Sequence, residues 1–210
     1  SAAPIRNEAG ETAGVVLVFR DVTQKKEQLE QIEYLSFHDP LTGLYNRRFF
    51  NAEITRLDTT RNLPLTVVMG DVNGLKLTND AFGHEAGDQL LLKAARAMQA
   101  ACRSDDIIAR WGGDEFVILL PGTQQQEAER IIARIREFCS KERIEALTVS
   151  ISFGVATKTE QEEDMRKIMQ LAEDRMYSAK TVESEGMTDS IVRTIISALH
   201  EKNPDEEHHA

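Results

Sequence analysis

Two short apolar runs, IIARW at 107–111 and FVILL at 116–120, are separated only by Gly112, Gly113, Asp114 and Glu115. Runs of this length joined across paired glycines read as an antiparallel hairpin. The pattern around the hairpin alternates. RRFFNAEITRL reads as a helix, LTVVMGDV as a buried strand and HEAGDQLLLKAARAMQAAC as an amphipathic helix. Beyond the hairpin, QQQEAERIIARIREFCSKERI reads as a helix, LTVSISFGVA as one strand and EDMRKIMQLAEDRMYSAK as a helix. Strands interleaved with helices, one hairpin among them, predict an α/β (α+β) fold in which helices cover a central mixed sheet. The 210 residues hold one substantial domain and flanking pieces.

Upstream, VVLVF at 15–19 is a short β-rich run, and Thr23 is a plausible N-cap for the polar helix that follows. Val22, Leu29, Ile32 and Leu35 form a narrow apolar stripe on that helix, which suits pairing with another helix better than burial in a core. With 25 Lys and Arg against 35 Asp and Glu, the net charge is −10. A nonspecific polyanion-binding surface is excluded, so no nucleic-acid partner is expected and any phosphate chemistry must rest on a local site. Cys102 and Cys139 both fall in helical segments, where small buried apolar roles are expected and a reducing cytoplasm suits them. No apolar run reaches the roughly 18 residues of a membrane span.

Two clusters carry chemistry. Asp71 ends the strand LTVVMGDV and is followed by Asn73, Lys76, Asn79 and Asp80. A carboxylate leaving a buried strand reaches a hard metal ion, and nearby lysine and amides hold phosphate or a base edge. Alone, such an Asp is more often a turn or cap residue. The second cluster is Arg110-Trp111-Gly112-Gly113-Asp114-Glu115-Phe116, whose glycines allow close backbone approach to a ligand and whose two adjacent acids point to opposite sides. A plain hairpin turn with solvated charge explains it equally, except that Asp71 supplies a second acidic strand end. Strands adjacent in a sheet bring the two together as an oxygen site suited to Mg²⁺.

Together these motifs resemble the GGDEF domains of bacterial diguanylate cyclases over roughly residues 36 to 180. The resemblance rests on HDPLTGLYNRR at 38–48, DVNGLKLTND at 71–80, GHEAGD at 83–88, GGDEF at 112–116, SFGVA at 152–156 and AEDRMYSAK at 172–180. It implies a largely antiparallel sheet of the nucleotidyl-cyclase, palm-like kind. It also implies condensation of two GTP molecules into cyclic di-GMP and pyrophosphate across a homodimer, with Mg²⁺ or Mn²⁺. By the same resemblance, Asp71, the Val72 carbonyl, Asp114 and Glu115 are metal ligands, and Asp114 and Glu115 are the catalytic acids. Gly112 and Gly113 pack on the nucleotide, Asn79 and Asp88 read guanine, and Lys76 and Lys180 contact phosphate. Arg103 and Asp106 resemble a product-inhibition site for cyclic di-GMP, with Arg134 a further contact.

The sequence departs from the family at Asn73, where a second Asp is common, at Leu75, where Phe is commoner, and at Ser184, where a phosphate-binding Arg is expected. The rival expectation is a catalytically weak module that senses GTP or cyclic di-GMP, and intact Asp71, Asp114 and Glu115 weigh against it. Residues 1–22 resemble the end of a PAS sensor domain, 23–37 a signalling linker helix, 38–185 the cyclase domain and 186–210 the opening of an HD-GYP domain. A terminal strand of the main sheet and a plain C-terminal helix are the alternatives for the two ends. A cytoplasmic location is expected, with the full-length protein free to carry a membrane tether.

Overall fold

The computed structural model describes residues 2–6, 10, 12–17, 23–144 and 147–182, in two compact units, Ser1–Ser36 and Phe37–Ala210. Ser184, the tail histidines and the HD-GYP-like segment lie outside the described residues, as do 18 and 19 of VVLVF.

In the first unit, β1 (Ala2–Arg6) and β2 (Thr12–Leu17) pair antiparallel in a sheet of their own. The run at 15–17 is therefore half of a hairpin and no strand of the larger sheet. Helix α1 runs from Thr23 to Phe37, the bounds expected from sequence. Ile32 and Leu35 of its apolar stripe are 64% and 49% exposed.

The second unit contains β3 (Tyr45–Asn46), α2 (Arg47–Leu57), β4 (Leu65–Val72), α3 (Leu75–Phe82), α4 (His84–Ala101), β5 (Ile107–Gly112), β6 (Glu115–Leu120), α5 (Gln125–Lys141), β7 (Arg143–Ile144), β8 (Leu147–Thr148) and β9 (Ile151–Lys158). A further helix, α6, covers 165–182. The main sheet has the order β3-β5-β6-β4-β9. Only the β3–β5 pair is parallel, so the sheet is mixed and largely antiparallel as expected.

Every residue of β4 is buried, because helices cover both sheet faces and side chains alternate between them. Val68 and Val72 join Phe116, Ile118 and Leu120 under α4 and α5. Val67 and Met69 join Val117 and Leu119 under α2 and α6, against Phe50, Ile168, Ala172 and Met176. Each such side chain contributes about 1.5–3 kcal/mol by leaving water.

Helix α4 begins at His84 as expected, and α3, which the sequence reading leaves unmarked, ends at Gly83 with φ +86°, a conformation only glycine adopts without strain. Two expectations need correction. Helix α5 stops at Lys141, and Arg143–Ile144 pair with Leu147–Thr148 instead. LTVSISFGVA is two strands in different sheets, Leu147–Thr148 pairing with β7 and Ile151–Lys158 with β4; between them, Ser150 O accepts from Asn73 N at 3.0 Å. Among the described residues no helix is long and apolar enough to cross a membrane.

Candidate active site

The alternation of β4 decides where its acid goes. Asp71 continues the Val67-Met69 series and so faces α6, while Val72 faces α4 and α5. Its cross-strand partner on β6 is Glu115, which shares the face of Val117 and Leu119. Two carboxylates that lie 44 residues apart in the sequence are thereby set side by side at one end of the sheet.

Helix α6 completes this corner. At Gly154, paired with Met69, an added Cβ would lie 2.0 Å from Ala172 O and 2.2 Å from Met176 N. The helix backbone thus rests directly on β9, which carries Lys180 within 2.8 Å of Asp71 Oδ2. The sequence expectation for Lys180 was a phosphate contact; in the structure its ammonium is tied to the metal-ligand candidate. Asp71 is 3% exposed, and its other oxygen, Oδ1, is buried with no hydrogen-bond donor among the described residues. Burial foremost, and then the charge of Asp114, holds the Asp71 carboxyl above the usual range, against the bond from Lys180. Glu115 is raised as well, first by burial and then by Asp71, Asp114 and Glu173.

Sequence reasoning missed Glu173. The available signal was its place seven residues before Lys180 on one helix, two turns apart and on the same face. Among the described residues, no three acids, histidines or cysteines are drawn into a ready set of metal ligands. The donors nevertheless fit a hard divalent cation: mutually repelling carboxylates at one corner, one of them with a buried oxygen lacking any donor.

The hairpin carries a bulge. Arg110 pairs with Phe116 but Gly112 with Glu115, so Trp111 is the extra residue, and Gly113 turns with φ +53°. Asp114 O accepts from Val72 N at 2.9 Å. Gly112 and Gly113 are exposed, with nothing within 4 Å of an added Cβ at either. Across the next loop, Gly87 of α4 packs so tightly on Asn79 of α3 that its Cβ would lie 1.9 Å from Asn79 Oδ1. That contact sets Asn79 beside the turn bearing exposed Asp88, and Lys76 is exposed on α3. Asn73 is a structural tie, its amide donating to Ser152 Oγ at 2.9 Å.

Arg103 and Asp106 lie in another loop, before β5. Asp106 is 8% exposed and accepts from Arg103 N at 2.7 Å, so it caps its own turn while Arg103 stays exposed. Burial foremost raises the Asp106 carboxyl, with Arg103 and Arg134 acting against it. Arg134 donates to Ala101 O at the end of α4. Asp106 also lines a cavity of about 240 Å³ with His38, Tyr45 and Gln99.

Comparison with known proteins points to one family. The family described as diguanylate cyclase, GGDEF domain, matches residues 36–185. Diguanylate cyclase DgcM of Escherichia coli (strain K12) is 34% identical over 171 residues, covering 79% of this chain and 41% of its own length. The chain therefore spans less than half of that relative. Diguanylate cyclase SiaD of Pseudomonas aeruginosa, solved with its activator SiaC, has 31% identity and a TM-score of 0.65 over 77% of this chain and 66% of its own. The coiled coil and GGDEF domain of DgcB from Caulobacter crescentus, solved with c-di-GMP, shares the fold at a TM-score of 0.70 and 24% identity, over 76% of this chain and 88% of its own. With its acids gathered at the sheet end and its matching span covering most of its length, the chain belongs to the GGDEF family of diguanylate cyclase domains.

Proposed function

We propose that this chain is the catalytic portion of a diguanylate cyclase, joining two GTP molecules into cyclic di-GMP. The observation that carries this is the buried Asp71 Oδ1 with no donor, beside Glu115 in register and next to Asp114. A site so charged is built to be neutralised by a divalent cation, Mg²⁺ or Mn²⁺, held by Asp71, Asp114, Glu115 and the Val72 carbonyl. The bound metal supplies charge stabilisation on the phosphates and a lowered pKa for the attacking hydroxyl.

The protein's own groups do the positioning. Asp88 accepts from the guanine N1 and N2 edge, and the Asn79 amide reads the same base beside it. Gly112 and Gly113 let the nucleotide approach the hairpin backbone. Lys76 meets phosphate, and Lys180 divides its charge between Asp71 and the triphosphate. The 3′-hydroxyl of each GTP attacks the α-phosphorus of the other, and pyrophosphate leaves at each of the two steps. One domain holds one GTP, so two copies must face each other.

The domain plan belongs to the same reading: 1–22 as the end of a sensor, 23–37 as the linker helix, 38–185 as the cyclase and 186–210 as the start of a further domain. Exposed Ile32 and Leu35 on α1 support a pairing helix. Cyclic di-GMP acts back through Arg103, Asp106 and Arg134, whose shared corner supports that role. The domain works in the cytoplasm, where GTP is found.

Incubation with GTP and Mg²⁺, followed by mass spectrometry of the products, tests the activity. Asp71→Asn and Glu115→Gln should each lower turnover by on the order of a hundredfold or more with the fold retained. Near-normal turnover in either variant refutes the assignment. Calorimetry with cyclic di-GMP on Arg103→Ala tests the inhibitory site, which unchanged affinity would remove.

A further inference from the structure

We infer that Asp39 and Arg110 form a clamp that sets the turn carrying Asp114, making Arg110 a positioning residue for the acidic site. The consequence for metal affinity rests on the function proposed above; the consequence for the turn does not.

One jaw is rigid before Arg110 reaches it. Asp39 N donates to Leu44 O at 2.8 Å and Asp39 O accepts from Gly43 N at 2.9 Å. Its carboxylate oxygen Oδ1 accepts from Thr42 N at 2.8 Å and Thr42 Oγ1 at 2.7 Å. Burial alone would raise the Asp39 carboxyl, but these Thr42 bonds and Arg110 hold it below the usual range. Arg110 Nη1 then lies 3.2 Å from both Asp39 oxygens. The two side chains are only 15% and 17% exposed, so the pair is screened less than a surface ion pair.

The opposite edge of the same guanidinium holds the hairpin. Nε and Nη2 donate to Gly113 O at 3.0 and 2.7 Å. Gly113 lies between the end of β5 and the start of β6, so its carbonyl has no place in the strand ladder and needs another donor. On the far side of Asp114, its own carbonyl accepts from Val72 N at 2.9 Å. The carbonyls before and after the Asp114 Cα are both fixed, which leaves its side chain only its rotamer freedom. A planar fork with donors on two edges is required to span both jaws, and a lysine ammonium does not supply one. Trp111, the bulged residue between, is itself held by Arg47 at 4.2 Å over its ring.

Asp39 stands two residues after the last residue of α1. The segment leaving that helix is thus bonded, through one arginine, to the turn of the acidic site.

The test compares Asp39→Ala, Asp39→Asn and Arg110→Lys with the full chain. Backbone amide hydrogen exchange at 112–115 should quicken in all three while amides of β4 before Val72 and the rest of β6 keep their rates. Mn²⁺ affinity without nucleotide, read by calorimetry, should fall about tenfold. Asp39→Asn keeps an acceptor for Thr42 and isolates the arm to Arg110 should Asp39→Ala loosen the whole domain. Wild-type exchange at the turn in Arg110→Lys overturns the clamp, and faster exchange with unchanged Mn²⁺ affinity overturns its role in positioning the acidic site. If the parent chain binds no Mn²⁺, the metal assignment fails, and the exchange rates still decide whether the pair sets the turn.

Discussion

Replacing Gly154 by alanine should be the most damaging one-carbon change in this domain. The added Cβ falls 2.0 Å from Ala172 O, 2.2 Å from Met176 N and 2.9 Å from Arg175 C, all backbone atoms of α6. None can rotate away as a side-chain tip does, and the first two belong to one helical turn. Ordinary contact begins at 3.4 Å, so α6 must lift by about 1.4 Å or break that turn. Lifting loosens Ile168, Ala172 and Met176, which are 7%, 0% and 0% exposed, and draws Lys180 away from Asp71. Overpacking of a tight core costs about 1–3 kcal/mol, and contact with a helix backbone places this case at the top, about 3 kcal/mol. For a domain of this size the melting temperature falls by about 6–12 °C. Thermal unfolding followed by circular dichroism measures it. A Gly154→Ala variant melting within about 2 °C of the parent would refute the inference that α6 is seated on the glycine.

Gly112→Ala should be the contrasting case: nothing lies within 4 Å of its added Cβ and its φ is ordinary, so stability changes by less than about 0.5 kcal/mol. GTP affinity should nevertheless fall, and an unaltered affinity in a binding titration would count against a nucleotide lying on this backbone. Asp71→Asn should raise the melting temperature of chelator-treated protein at neutral pH. The folded-state carboxyl is raised, by burial first and Asp114 next, so its ionised form opposes folding. That opposition is full above the raised value and vanishes below the unfolded carboxylate value; the variant's gain must therefore shrink as pH falls through this window, and a gain that grows would contradict the sign. Adding Mn²⁺ should stabilise the parent and leave the variant unmoved. Buried Cys139, whose thiol burial pushes up to about 11, should react with a disulfide reagent only as fast as the native fold opens.

Much of the domain was legible along the chain. The bounds of α1, α2 and β4 follow from periodicity and punctuation, because burial on both sheet faces leaves an unbroken apolar run and an amphipathic helix shows its stripe. The acids Asp71, Asp114 and Glu115 were visible as charge beside buried strands, but each alone reads as a turn or cap residue, and it was the family resemblance that joined them into one site. The split of LTVSISFGVA was hidden, because Val149 stays 2% exposed and no glycine or proline marks the passage from one sheet to the other. Between the two strands, Ser150 is tied to Asn73, 77 residues away.

Other decisions needed the third dimension. Sequence spacing places no acid beside another across 44 residues; strand register does, by setting Asp71 opposite Glu115. Lys180 and Glu173 reach that corner only because a glycine lets one helix touch one strand. The pairing of Arg110 with Asp39 spans 71 residues and leaves no mark in either local pattern. The sequence by itself determined which residues bear charge and which segments are strands or helices, since those follow from local propensity and periodicity. Only the tertiary structure decided which charges meet, because a side chain's neighbours across a sheet or under a helix are set by register and packing between segments distant in the chain.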